Sequence, residues 1–152
     1  MTCFQDLFTE SKGQPINYCG RILHLADQFP THGTKTLRLV FESTNGDWRQ
    51  GVALDVDGSF VVNGRKIPRS IVLWEDTAPS VVEFEIPRPA QRVTVWNVWD
   101  SGNGATDAWH NGAAMIVEDI GNGRRYRCND GMADEDFDDI VFRLERVTAW
   151  GE

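Results

Sequence analysis

The chain has 152 residues, enough to bury the core of one domain and too few for two ordinary ones. Its 41% hydrophobic and 25% charged residues are those of a globular protein and exclude disorder. The formal net charge of -8 is gathered in one stretch, and clustered Lys and Arg able to displace counterions from phosphates are lacking, which argues against nucleic acid.

In chain order, the opening MTCFQDLFTESKGQP has no basic region leading into a long apolar run, and no later segment is long enough to span a bilayer. As the sequence stands, this reads as a cytoplasmic protein without a leader. Cys3, Cys19 and Cys128 are odd in number and lack the paired short spacing of a zinc site, so they read as free thiols. His24, His32 and His110 add no metal motif. Within the opening, FQDLFTE is expected as a short helix, and a second is expected at 106–110.

Period-two alternation then dominates, which marks half-buried strands. In KTLRLVFES, Leu37, Leu39 and Phe41 share one face; in GVALDV, Val52, Leu54 and Val56 do the same. The dipeptides Asp57-Gly58 and Asn63-Gly64 favour positive φ and are expected as hairpin turns of a meander over 52–56, 59–62 and 65 onward. Further strands are expected at 20–26, 71–74, 81–86, 92–99, 114–119, 124–128 and 140–147. Pro68, Pro79, Pro87 and Pro89 fall between strands, where a missing amide hydrogen does least harm. Arg124, Arg125 and Arg127 read as a solvated strand face. The sum is one all-β domain over 1–152, an antiparallel β-sandwich of jelly-roll type.

In VTVWNVWDSGNGATDAWHNG, Val93, Val95, Asn97 and Trp99 lie on one face of a strand and Thr94, Trp96 and Val98 on the other. One Trp is expected in the core. The loop that follows mixes Asp100, Asn103, Asp107, Trp109, His110 and Asn111. With Trp99, planar rings and carboxylate or amide groups suit a sugar, whose apolar face stacks on Trp99 or Trp109 while Asp100, Asn103 and Asp107 orient its hydroxyls. The plain alternative is a core Trp and a connecting loop.

Residues 129–141, NDGMADEDFDDIV, set six acids together with no Lys or Arg among them. Close carboxylates repel by roughly 1 to 3 kcal/mol per pair near a surface. The following FDDIVFRL reads as a strand with Ile140, Phe142 and Leu144 on one face and Phe137, Asp139 and Val141 on the other. Whichever face meets the core, a carboxylate lies in line with it, either Asp136 and Asp138 or Asp139. A charge drawn inward needs a partner. Calcium, which takes roughly six to eight hard oxygens in flexible geometry, meets both demands. Gly131 supplies a turn, and Asn129 and Asp130 just before it fold back on Asp134 and Asp136. The alternative is a solvated turn in which Asp138 or Asp139 caps backbone amides.

The run from Asp134 through Val141 resembles the D-x-D-[FY]-[ND]-D-[LIV]-[VI] signature of bacterial calcium-binding β-sandwich domains. The likeness covers under a tenth of the chain. It implies Asp134, Asp136 and Asp139 as calcium ligands, with Asp138 where Asn is frequent.

Three functions stand side by side. The first is a non-catalytic calcium-binding module of lectin type, with carbohydrate as partner. A second is an acidic interaction or immunity-type protein that docks ADEDFDD on a basic protein. The third is a glycoside-active enzyme, for which Glu83, Glu85, Glu118 and Asp119 show no spacing that marks a pair; nucleophile and phosphate-loop motifs are lacking.

Overall fold

A computed structural model describes residues 4–87, 90–109, 111–132 and 135–147. Helix α1 (Phe4–Glu10) precedes strands β1 (Ile16–Tyr18), β2 (Arg21–His24), β3 (Asp27–Pro30), β4 (Thr36–Thr44), β5 (Arg49–Val62) and β6 (Arg65–Trp74). Then follow β7 (Val81–Glu85), β8 (Arg92–Asp100), β9 (Ala114–Asp119), β10 (Gly123–Asn129) and β11 (Ile140–Val147). Among the described residues no helix is long and apolar enough to cross a membrane.

The fold is all-β. Its strands join in the order β1-β2-β9-β10-β11-β4-β7-β5-β8-β3, with β6 added against β5, and every pairing is antiparallel. The strands form one antiparallel sheet curled into a half-barrel, whose two parts, β1-β2-β9-β10-β11-β4-β7 and β6-β5-β8-β3, are joined by the pairing Val61↔Glu85. The alternating positions read from the sequence explain the curl: Leu37 and Leu39 of β4, Leu54 of β5, Val95 of β8 and Phe142 of β11 are all fully buried and face a shared interior. A smaller cluster of Phe4, Phe8, Leu23, Ala114 and Phe137 lies under α1.

Two expected turns resolve differently. At Asn63 and Gly64, φ values of 52° and 75° make the two-residue hairpin between β5 and β6. Asp57-Gly58 is not a turn but lies inside the 14-residue β5, where pairing jumps from Asp55↔Ser70 to Ser59↔Pro68. This bulge lets Val56 and Phe60 both stay buried, which a hairpin at that point would prevent. Pro68, expected between strands, sits within β6, on a strand that pairs only with β5. The helix expected at 106–110 is replaced by a bridge in which Trp99 and Asp107 exchange both backbone hydrogen bonds. Strands β1 and β3 have no signal of their own: INY is short, and DQFP holds a Pro and a buried acid.

That acid closes the curl. Asp27 of β3 accepts hydrogen bonds from Arg124 Nη1 at 2.8 and 3.0 Å and from the Tyr126 hydroxyl at 2.7 Å, both on β10. Burial and the neighbouring Asp27 charge push the Tyr126 hydroxyl pKa up, so it remains a donor. Arg146 adds a bond to the Pro30 carbonyl. Replacing Asp27 by Ala strands a partly buried guanidinium and a buried hydroxyl, and is expected to cost about 3 kcal/mol in urea denaturation, against about 1 kcal/mol for Tyr126→Phe. His24 on β2 has its pKa lowered from 6.5 by burial, opposed by Asp27 and assisted by Arg124. The unfolded chain binds that proton more readily, so the contribution is whole above 6.5 and shrinks as pH falls below it. Stability measured from about pH 7 to about pH 5 should therefore fall more steeply in the parent than in His24→Gln.

Candidate functional site

Strands β10 and β11 are neighbours, with Cys128 paired to Ile140, so both feet of the acidic loop start side by side. The loop then folds onto itself. Asn129 Oδ1 accepts from the Phe137 amide at 2.7 Å, holding Phe137 at a left-handed φ of 54° and seating its ring beside Phe4. Asp139 Oδ2 accepts from the Asp130 amide at 2.9 Å, and Asp139 in turn donates its amide to the Cys128 carbonyl. Asp130 Oδ1 takes the Met132 amide at 2.9 Å. The thiol of Cys128 is pushed up in pKa by burial and then by the nearby Asp139 charge, and stays protonated.

Two facing strands reach into this knot. From β8, Asn97 donates to the Asn129 carbonyl at 2.9 Å; from β5, Gln50 Nε2 donates to Asp130 Oδ2 at 2.8 Å and to the Trp48 carbonyl at 3.2 Å. The β4–β5 connection crosses beneath, where Asn45 bonds the Asp139 carbonyl and the Asp138 carboxylate. Gly46 is required there, since a Cβ would stand 2.6 Å from Gln50 Nε2 and 3.0 Å from Asp130 Oδ2. Gly131 is required likewise, with a Cβ meeting the Trp99 ring at 2.8 Å.

Of the five cation ligands expected, Asn129, Asp130 and Asp139 come together, 0%, 1% and 4% exposed. Asp136 is exposed, and Asp134 lies outside the described residues. Among the described residues no three of His, Cys, Asp and Glu gather into a metal-binding group. The oxygens at hand are instead a mixture of carboxylates and amides. One amide was missed from the sequence: Gln50 is 3% exposed, and its Oε1 is the buried side-chain oxygen with no hydrogen-bond partner among the described residues. Its signal was legible, because Gln50 continues the inward series Val52, Leu54, Val56 and puts a polar group in a core register. Among those residues no Lys or Arg forms an ion pair with Asp130.

The tryptophans divide. Trp99 is the core Trp, 2% exposed and stacked on Trp48 at 6.5 Å, so its face is not offered to solvent. Trp109, 43% exposed, leans on Trp96 with ring centres 5.2 Å apart. Asp100 and Asn103 fold the loop, accepting from the amides of Gly102, Gly104 and Ala105. Asp107 lines a notch of about 220 Å³ with Trp48, Trp99, Ser101, Asn111 and Gly131. Gly131 and the Gln50 to Trp48 bond make this notch the neighbour of the acidic knot. His110 lies outside the described residues.

Gly46→Ala is expected to displace Gln50 from Asp130 and destabilise the fold by about 1 to 3 kcal/mol in urea denaturation. Comparison with protein-family models, with curated proteins and with solved structures gives no match.

Proposed function

We propose that the chain is a non-catalytic binding module whose loop end is closed by a calcium ion and whose adjoining notch takes a sugar. The observation that carries the cation is the buried, unpartnered Gln50 Oε1 beside Asp130. A buried carbonyl without a donor costs roughly 1 to 3 kcal/mol, and a hard cation is the partner that suits an amide oxygen set among carboxylates. Asp130 and Asp139, with Asn129 and Gln50, would hold it, with Asp136 as a further carboxylate on the same loop. Bound there, calcium would neutralise the repulsion of the acidic run and stiffen the wall of the notch.

The notch favours a sugar by its lining, the Trp48 indole with hydroxyl, carboxylate and amide from Ser101, Asp107 and Asn111. Asp107 is the carboxylate among those residues, whereas glycoside hydrolysis uses two facing each other, which supports binding over cleavage.

Isothermal titration of metal-free protein with calcium chloride should give heat of binding and a raised melting temperature, with Asp130→Asn weakening affinity by about tenfold or more. Absence of heat together with an unchanged melting temperature would remove the cation. The sugar is tested separately on a glycan array, where Asp107→Ala should lose whatever the parent retains.

A further inference from the structure

At the other end of β8 from the notch lies a cleft of about 840 Å³, lined among others by Gln28, Asp55, Asp57, Arg69, Arg92 and Thr94. Its origin is the bulge in β5. The β5–β8 ladder ends at Asp55↔Thr94, and the next three residues of β5 stand opposite Arg69 alone in register, so β5 bends away from β8 and the space opens. Arg69 meets the bulge at φ 70°, a left-handed backbone that side-chain-bearing residues avoid and that turns up where function requires it. The cleft wall is tied by a hydrogen bond from Thr94 Oγ1 to Gln28 Oε1 at 3.1 Å.

The same sheet face changes character along the strands. Ser70, Asp55 and Thr94 are level across β6, β5 and β8; two residues on come Val72, Ala53 and Trp96; two further come Trp74, Gly51 and Val98. Trp96 carries the exposed Trp109, and the Trp74 ring lies so close on Gly51 that a Cβ there would stand 2.8 Å from it. Arg92 shares this face, so a polar cleft grades into an aromatic shelf within four residues of β8, about 14 Å at the rise of an extended strand.

The charge of the cleft selects among ligands. Two carboxylates face two guanidinium groups, so neither sign is in excess, although the whole chain stands at -8. Arg69 and Asp57 approach only to 4.0 Å and both are exposed; among the described residues Arg92 forms no ion pair. These forks are available to a ligand. Arg donates in pairs, Asp accepts in pairs, and Gln does both, which matches adjacent hydroxyls that each donate and accept.

We propose that this face binds a neutral oligosaccharide, a ring face on the exposed Trp109 that Trp96 supports and its hydroxyls in the cleft at Asp55, Arg69 and Arg92. This rests on the carbohydrate reading above and extends it from one sugar to a chain. Full-length protein is titrated with neutral cello- and manno-oligosaccharides from disaccharide to hexasaccharide, for the parent, Arg69→Gly, Arg92→Ala and Asp107→Ala. Affinity should rise with length, and Arg69→Gly and Arg92→Ala should each lose about tenfold or more on the hexasaccharide. Because glycine relieves the left-handed position, Arg69→Gly should melt no lower than the parent, which separates lost binding from lost folding. Hexasaccharide bound no better than disaccharide, with both arginine variants at parent affinity, overturns the proposal; loss in Asp107→Ala alone then leaves the notch standing. No binding to any glycan sinks both, and preference for uronic acid chains over neutral ones overturns the assignment of ligand class.

Discussion

Strand β10 is tied by buried polar contacts to three strands on the far side of the interior. Arg124 and Tyr126 meet Asp27 of β3, the Asn129 carbonyl meets Asn97 of β8, and Asp130 meets Gln50 of β5. Since β3, β8 and β5 are consecutive neighbours in the sheet, these contacts fix where β10 crosses them. Apolar packing such as Tyr126 on Phe142 tolerates a small slip, but a buried donor that loses its acceptor costs about 1 to 3 kcal/mol. The polar pairs therefore fix where the curl closes, and the apolar positions account for the curl itself.

The acidic site descends from that crossing, and the cleft from the bulge in β5. Where β10 ends, the chain must return to β11 through a loop whose feet are already fixed, and Asp130 is turned inward onto the Gln50 amide of β5 while Asp139 takes the Asp130 backbone amide. Where β5 leaves β8, a bulge keeps its apolar positions inside and opens the outer face. One end thus stores negative charge within a hydrogen-bonded knot, and the other displays mixed charge over an open cleft.

Much of this was legible. The final strand, 140–147, and the helix FQDLFTE match their expected bounds, because strong alternation and a helical pattern left no rival. The face assignments along β8 also hold, with Val93 and Val95 buried opposite half-buried Thr94 and Trp96. What failed was tertiary in origin. Asp57-Gly58 has turn chemistry, yet the core positions on either side bind it into one strand. DQFP becomes a strand by pairing with β8, and its acid accepts hydrogen bonds from Arg124 and Tyr126, nearly a hundred residues later. The site was half visible: Asp130 and Asp139 stood out by charge and Asn129 by its place beside them, whereas Gln50 showed only as a polar group in a core register, and only the facing strands show which Trp is covered.

Among the described residues strand β6 pairs on one side only, with β5, and so leaves a row of backbone donors and acceptors at a margin. That margin carries Arg65, Lys66, Pro68 and Arg69, all exposed. A second molecule adding its own strand there would find a missing amide hydrogen at Pro68 and a crowd of like charges. Arg69, which lines the cleft, thereby also belongs to the set that guards the molecule against edge-to-edge aggregation.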